Sequence, residues 1–437
     1  MTDDDRRSDL IIRTLGEAFS DLMRADPVAF RTKFRKMAAD PHAFYRGAAC
    51  LFFADVTAGD DEWANEQSSR IWIHADLHVE NFGTYLNSDG RLVFDVNDYD
   101  EAYLGHFTWD LQRFAASLAL VCWQKALPEE EIRRLVRRYA KAYLAQVDVY
   151  RAEDGDTDFA LRLENTSGPV QEVLVAARMQ RRADLLADLT ETKDGVRRFS
   201  DGPGVRRLPT KERVGVERAF RGYLDSIPQD KRFDRELFYD VIDVVGKSGF
   251  GVGSAGLPAY NLLLEGYSQA LDNDVVLAMK QANVPALSRF VDAAEIEASF
   301  HNQGHRTVVS QRALQVHTDP LLGHTELNGV GYVVSEVSQY EVDLSWDDLT
   351  EPDELADVVG LLGRATAKIH CASDQDSDQD LVHFQVEEAI AASLEGRRTA
   401  FVESLEDFAI GYAEQARRDH ALFVDAFRAG RIGISAT

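Results

Sequence analysis

His74-Ala-Asp-Leu-His-Val-Glu-Asn81 directly follows a short apolar run. This order predicts a buried strand that leads into a polar loop. Asp76 and Asn81, five residues apart, suit a phosphoryl-transfer centre, because the aspartate can orient a substrate proton and the asparagine can bind Mg²⁺ through its carbonyl. Two alternatives stay open: a loop whose polar side chains only cap the backbone, and a transition-metal site formed by His74, Asp76 and His78.

A second predicted strand also ends in acidic residues. Arg91-Leu-Val-Phe-Asp-Val-Asn-Asp-Tyr-Asp100 contains Asp95, Asp98 and Asp100, and a turn rich in Asn, Asp and Gly precedes it. Closely spaced carboxylates at a strand end can hold a metal beside a triphosphate, although a solvated acidic turn has the same composition. Twenty-two residues separate Asp76 from Asp98, enough for one hairpin that brings both loops together.

A third pattern lies in the second half of the chain. A β-rich run, Phe238–Val245, precedes a glycine cluster, and the run after the cluster begins with a proline and predicts a strand. A dinucleotide-binding loop requires a helix at that point, whereas a strand, a glycine loop and another strand are typical of the lobe that covers ATP in kinases. The residues predicted to cover the phosphates are Gly251, Gly253, Ser254 and Gly256.

A lysine follows on the next predicted strand. Lys280 ends Val275-Val-Leu-Ala-Met-Lys280 and is expected to bind the α- and β-phosphates. Such a lysine needs a carboxylate partner on a following helix; Glu295 and Glu297 are the candidates, and Glu297 is preferred. Gly331–Val337 predicts a strand that leads to the hinge between two lobes.

Composition excludes several functional classes. The 437 residues include 48 basic and 74 acidic ones, a formal charge of −26, which argues against binding of nucleic acid or of anionic membranes. The longest nearly apolar run, Phe114–Trp123, is about half as long as a membrane-spanning helix. The first residues resemble no signal peptide and three cysteines lie far apart, so we expect a cytoplasmic protein.

The catalytic motif resembles a known family. His74–Asn81 is similar to the H-G-D-x-H-x-x-N loop of aminoglycoside and choline phosphotransferases, with Ala75 in place of the usual glycine. Asp98, followed by Gly105 and Trp109-Asp-Leu111, resembles their metal-binding aspartate and the helix after it. This resemblance implies a kinase-like fold, an ATP site and a catalytic set of His74, Asp76 and Asn81.

The whole chain resembles the bacterial domain of unknown function 2252 family, whose substrate the resemblance does not supply. The matching stretches are Phe44–Ala49, His74–Gly83, Val93–Glu101, Trp109–Ser117, Gly251–Gly256, Gln311-Arg312 and Arg418–His420.

The order of the motifs is unusual, because the catalytic loop precedes the glycine loop and Lys280. Joining the C-terminus to the N-terminus would restore the order of ordinary kinases. We therefore predict an α+β, protein-kinase-like, two-lobed fold that is circularly permuted, with Lys280 across one cleft from Asp98 and Asn81. Its expected parts are a helical catalytic lobe (1–230), a β-rich nucleotide lobe (231–346) and helices that return to the catalytic lobe (347–437). Residues 191–211 are expected to form an exposed loop.

The expected function is an ATP- and Mg²⁺-dependent phosphotransferase that acts on a hydroxyl group of a small molecule. Asn81 and Asp98 would hold the metal, with Asp95 or Asp100 assisting. Three alternatives remain: nucleotidyl transfer with ATP bound in the reverse direction, a non-catalytic nucleotide-binding protein, and a metal-dependent hydrolase.

Overall fold

The computed structural model describes residues 2–153, 155–233, 236–247, 257–375, 377 and 381–432. The predicted glycine loop, including Gly251, Gly253, Ser254 and Gly256, lies outside these residues.

Helices and strands are numbered in chain order. The helices are α1 (Asp3–Ala25), α2 (Pro27–Met37), α3 (Pro41–Gly47), α4 (Ala49–Val56), α5 (Phe107–Gln124), α6 (Glu129–Ala152), α7 (Gly168–Arg178), α8 (Arg182–Leu189), α9 (Thr210–Ser226), α10 (Ala294–Glu297), α11 (Gln303–Gln315), α12 (Pro352–Cys371), α13 (Val386–Ser393) and α14 (Arg398–Arg428). The strands are β1 (Ile71–Ile73), β2 (Phe82–Leu86), β3 (Leu92–Val96), β4 (Tyr103–Gly105), β5 (Thr190–Lys193), β6 (Val196–Phe199), β7 (Val205–Arg207), β8 (Val241–Lys247), β9 (Ala259–Leu264), β10 (Val275–Gln281), β11 (Gly323–Leu327) and β12 (Val330–Glu336).

Two short antiparallel strand pairs, β1 with β4 and β2 with β3, lie among the helices of the first unit. β1 is buried along its whole length, and Ile71 pairs with Gly105 on β4. A side chain at Gly105 would meet Ile73 Cδ1 at 2.6 Å, so only glycine allows this close approach. The strand pairs hold the ends of the catalytic and acidic loops side by side, as the predicted hairpin requires.

The second unit is built on a six-stranded antiparallel sheet. Its strand order is β11-β12-β10-β9-β8-β7. β10 lies inside the sheet, where Lys280 is opposite Ala259 on β9 and Val333 on β12. The predicted strands that contain Lys280 and Gly331–Val337 are therefore confirmed as neighbours.

Residues 191–211 differ from the expected loop. They form the β5–β6 hairpin and β7, which pairs with β8. Arginines make this possible, because Arg197 Nε lies 2.8 Å from Asp274 Oδ2 and Arg207 Nη1 lies 2.9 Å from Asp243 Oδ2. Since β7 belongs to the sheet, the sheet unit begins before the predicted boundary at residue 231.

The segment that connects β12 to α12 runs along the β2–β3 hairpin. The Thr84 amide donates to the Val342 carbonyl at 2.9 Å, and the Trp346 indole donates to the Val79 carbonyl at 2.6 Å. The segment between β12 and α12 is thus fixed against the first unit.

The first and last helices pack together. Arg7 on α1 binds Asp419 on α14 and Asp55 on α4, with Nε 2.8 Å from Asp419 Oδ1 and Nη1 2.6 Å from Asp55 Oδ1. Tyr412 donates its hydroxyl to Asp55 at 2.8 Å. The first and last helices of the described chain are therefore neighbours. In the part of the chain that the structure describes, no helix combines the length and the apolar character needed to cross a membrane.

Candidate functional site

Asp110 holds the start of the catalytic loop. Its buried carboxylate accepts the backbone amides of His74 at 2.6 Å and Ala75 at 2.8 Å. His370 Nε2 lies 3.2 Å from the same carboxylate, and the Tyr143 hydroxyl lies 2.9 Å from His370 Nδ1. His370 thus supports Asp110 from α12 through hydrogen bonds of both its ring nitrogens.

Ala75 has a backbone conformation that favours glycine. Its φ of 62° lies in the left-handed region, which costs a residue with a Cβ atom about 1 kcal/mol. The amides that bind Asp110 belong to Ala75 itself and to His74 directly before it, so the carboxylate holds the strained turn in place.

His74 joins the catalytic loop to the acidic loop. Its Nε2 donates to the Asn97 carbonyl at 2.8 Å, and its Nδ1 accepts the Asp76 amide at 3.3 Å. Since both ring nitrogens have partners and the ring is buried, His74 has a positioning role.

The transition-metal alternative gains no support from the histidines. His78 is buried, and burial lowers its pKa well below the usual value. Among the described residues, no group of three His, Cys, Asp or Glu side chains has a geometry that could hold a metal ion.

Asp76 is fixed by a buried arginine. Arg113 Nε donates to Asp76 Oδ1 at 2.7 Å, and Arg113 Nη2 contacts the same oxygen. Burial alone would lower the pKa of Arg113, but Asp76 raises it above the usual value, so the guanidinium stays charged. The second carboxylate oxygen, Oδ2, has no hydrogen-bond partner among the described residues, and the side chain is 18% exposed.

Asn81 ties the end of the loop to its start. Its Nδ2 donates to the Asp76 carbonyl at 3.0 Å, and its own carbonyl accepts the Asn97 amide at 3.0 Å. With the amide nitrogen used in this way, Oδ1 is left as the atom that can bind a cation.

Asp95 is engaged inside the protein. Lys368 Nζ lies 2.7 Å from Oδ2, and the Val96 amide donates to Oδ1 at 2.8 Å. Lys368 also donates to the carbonyls of Leu314 and Gln315. Because both residues of this pair are buried, Asp95 is poorly placed to bind a metal.

Asp98 lines a small cavity that Asp76 also lines. Its side chain keeps exposed surface, yet the surrounding protein removes enough water to raise its pKa to about 7. The negative charges of Asp100 and Asp76 add to this rise, and the positive charge of Lys280 opposes it. A carboxylate in such a crowded group gains from binding a cation.

Lys280, on β10 of the sheet unit, interacts electrostatically with Asp98. Its side chain is exposed. Burial raises the pKa of both Asp98 and Glu341, and the positive charge of Lys280 opposes this rise. The structure thus brings Lys280 close enough to Asp98 for the two charges to interact. The expected pair with Glu297 is not among the ion pairs of the described residues, and Glu295 lies 3.5 Å from Arg70.

Two residues that the sequence analysis did not identify as site residues, Arg306 and Glu101, connect the sheet unit to the acidic loop. Arg306 on α11 is fully buried and donates to the carbonyls of Ala102 and Asp100 at 2.7 Å. Glu101 accepts the side-chain amide of Asn283 at 2.9 Å and the backbone amide of Ala286. The segment directly after Lys280 is therefore bound to the acidic loop.

A small cavity opens beside Asp76. Its volume is about 50 Å³. It is lined by Ala18, Phe19, Lys33, Arg46, Gly47, Ala49, Cys50, Asp76, Asp98, Asp100, Glu101, Asn283, Val284, Ala286 and Arg289. The N-terminal helices thus supply the wall that faces the catalytic and acidic loops.

Comparison with known proteins identifies a family and no characterised relative. No curated protein and no solved structure matches the chain. A family described as an uncharacterized protein conserved in bacteria, DUF2252, matches residues 24–426. This match covers most of the sequence, and the chain therefore belongs to the DUF2252 family.

Proposed function

We propose that this protein is an ATP- and Mg²⁺-dependent phosphotransferase with a circularly permuted, kinase-like fold, acting on a hydroxyl group of a small molecule. The observation that carries the proposal is the cavity that brings Asp76, Asp98 and Asp100 together, with Lys280 of the sheet unit near enough for its charge to act on Asp98. Two segments far apart in sequence thus supply the opposite charges that a metal–nucleotide site requires.

The sheet supports the kinase-like part of this proposal. β8 and β9, which flank the glycine cluster, pair with each other, and β9 pairs with the Lys280 strand, β10. β12 follows on the other side and leads into the connection to the β2–β3 hairpin. The contact between α1 and α14 supports the permutation, because a short link between the chain ends would restore the usual order.

The residues of the cleft fit magnesium. Mg²⁺ prefers oxygen ligands and is usually bound by one or two protein side chains, with water and phosphate oxygens completing the shell. Asn81 Oδ1 and Asp98 provide two such ligands, and Asp100 can assist. Asp95 is left out of this set because Lys368 occupies it. The bound metal would neutralise the negative charge that develops on the phosphates.

Asp76 has the geometry of the residue that receives the acceptor proton. Arg113 fixes one carboxylate oxygen and leaves Oδ2 for the acceptor hydroxyl. Oδ2 takes the proton as the acceptor oxygen bonds to the terminal phosphorus. The bond from that phosphorus to the bridging oxygen breaks, and ADP leaves.

Thermal shift with Mg-ATP tests the nucleotide site. Ligand at about 100 times its dissociation constant adds roughly 2.7 kcal/mol to the stability of a protein that binds it. We expect Lys280→Ala and Asp98→Asn to lose most of the shift. The matched controls, Lys193→Ala on β5 and Asp357→Asn on α12, are exposed and should retain it.

A folded wild-type protein that shows no shift with Mg-ATP would refute the proposal. If the shift occurs, mass spectrometry of acceptors incubated with Mg-ATP identifies the reaction. A gain of one phosphoryl group supports phosphotransfer, whereas a gain of AMP shows nucleotidyl transfer.

A further inference from the structure

Lys33 is a buried lysine at the candidate site without an assigned role. It lies on α2, is 4% exposed and lines the cavity beside Asp76. Its ammonium lies 4.1 Å from the centre of the Phe19 ring. Among the described residues it has no hydrogen bond and no carboxylate within ion-pair distance, although a buried charge normally requires a partner.

Four acidic residues line the cavity: two have partners in the protein, and the proposed Mg²⁺ would bind the other two, Asp98 and Asp100. Asp76 is bound by Arg113, and Glu101 accepts hydrogen bonds from Asn283 and Ala286. Burial lowers the pKa of Lys33 to about 8, and the charges of Glu101 and Asp76 oppose this shift. Lys33 thus remains largely protonated at neutral pH, and its positive charge is not neutralised by a direct contact.

Two further cations line the same cavity. Arg46 pairs with Glu80 through Nη1, but its buried Nε has no hydrogen-bond partner in the described part of the chain. Arg289 is exposed at the cavity wall and donates to the Ala18 carbonyl at 3.3 Å. A group that enters the cavity therefore meets three positive side chains from α2, α3 and the segment after β10.

From these contacts we propose that Lys33, with Arg46 and Arg289, binds a compact anionic group, a carboxylate or a phosphate, on the acceptor substrate. The inference rests on the proposed function, because it takes Asp76 as the residue that faces the acceptor hydroxyl. The volume of about 50 Å³ holds about four water molecules, which suits one such group. Lys280 does not line this cavity, so the cations that would bind the acceptor group differ from the lysine that would bind the nucleotide phosphates.

Binding of inorganic phosphate and of acetate, measured by calorimetry without nucleotide, tests this site. We compare the wild type with Lys33→Met, which removes the charge and keeps a similar length and volume. Lys280→Ala serves as the control for anion binding at the nucleotide site, and Lys141→Met, at an exposed position on α6, as the control for general charge loss. We expect Lys33→Met to weaken binding of at least one anion about tenfold or more, as for loss of a charge-assisted hydrogen bond, and both controls to bind normally.

The outcomes separate this inference from the proposed function. Anion binding that survives Lys33→Met but is lost in Lys280→Ala would overturn the inference and place the anion at the nucleotide site. A wild type that binds neither anion would also overturn it. If Lys33→Met alone loses anion binding while the Mg-ATP shift is normal, both proposals stand. If Lys33→Met alone loses anion binding but the wild type shows no Mg-ATP shift, the proposed function fails and the anion site loses its role toward an acceptor.

Turnover supplies the second readout. ADP release from Mg-ATP is measured with hydroxy acids, sugar phosphates, neutral polyols and amino alcohols as acceptors. We expect hydroxy acids or sugar phosphates to stimulate ADP release, and the class that does so shows whether the site binds a carboxylate or a phosphate. In Lys33→Met, the KM for that acceptor should be raised. Stimulation by polyols or amino alcohols alone would contradict the inference.

Discussion

Replacing Asp110 by asparagine tests how the catalytic loop is held. Asp110 is fully buried, and its two oxygens accept the amides of His74 and Ala75. Asparagine has nearly the same shape, but it offers one acceptor oxygen and one NH₂ group. One backbone amide would therefore face another donor in a site from which water is excluded.

The expected loss follows from these contacts. A hydrogen bond to a charged group contributes about 1.5–3 kcal/mol, and a buried donor left without a partner costs about 1–3 kcal/mol. Since at least one amide loses its acceptor and the other loses a charged one, we expect Asp110→Asn to reduce the free energy of unfolding by about 3–5 kcal/mol. The turn at Ala75, which has a φ of 62°, should then relax.

Urea denaturation followed by circular dichroism measures this loss, with Asp357→Asn on the exposed face of α12 as the matched control. Tyr143→Phe removes the outermost hydrogen bond of the network and should cost only about 1 kcal/mol. A loss below about 1 kcal/mol for Asp110→Asn would refute the reasoning, because the loop would then be held by other contacts.

Three further predictions concern distant parts of the site. Lys368→Met leaves the buried Asp95 without its cation and should reduce the free energy of unfolding in urea by about 3–5 kcal/mol. The double variant Lys368→Met with Asp95→Asn should lose less stability than Lys368→Met alone, and equal losses would contradict a direct pair. Burial, with the charge of Arg46, lowers the pKa of His42 to about 3, so the unfolded chain binds a proton first as pH falls below about 6.5. Stability should thus drop between pH 6.5 and 5, and His42→Gln should remove about 2 kcal/mol of that drop; an unchanged pH profile would contradict the shift. A permutant with residue 437 linked to residue 1 and reopened at the β5–β6 turn beside Gly195 should unfold cooperatively and keep its Mg-ATP shift, and an unfolded product would contradict the closeness of the chain ends.

The sequence predicted those parts of the fold that depend on local pattern. The strand before His74, the hairpin that carries Asp95 and the strand that ends near Lys280 are each encoded by a short apolar run beside a polar loop. The prediction of an exposed loop over residues 191–211 was wrong, because a segment so rich in arginine has the composition of a solvated loop. The partners that turn this segment into strands, Asp243 and Asp274, lie tens of residues further on.

The residues that contact the site residues could not be predicted from the sequence either. Arg306 and Lys33 look in the sequence like ordinary helix-surface charges, and only the fold shows that both are buried at the cleft. One signal was present for Asp95: an acid inside the apolar run Leu-Val-Phe-Asp-Val indicates a buried charge that needs a partner. That partner, Lys368, is separated by more than half of the chain, so no local pattern identifies it.

The carboxylates around the cleft can be told apart by their partners rather than by their spacing. Asp110 binds backbone amides, Asp95 binds Lys368, Glu101 binds the segment after Lys280, and Asp76 gives one oxygen to Arg113. Asp98 has no hydrogen bond or ion pair among the described residues, and burial with the negative charges of Asp100 and Asp76 raises its pKa, so a cation bound there would be favoured. Metal binding should therefore depend on Asp98 far more than on Asp95, although the two lie three residues apart on one acidic run.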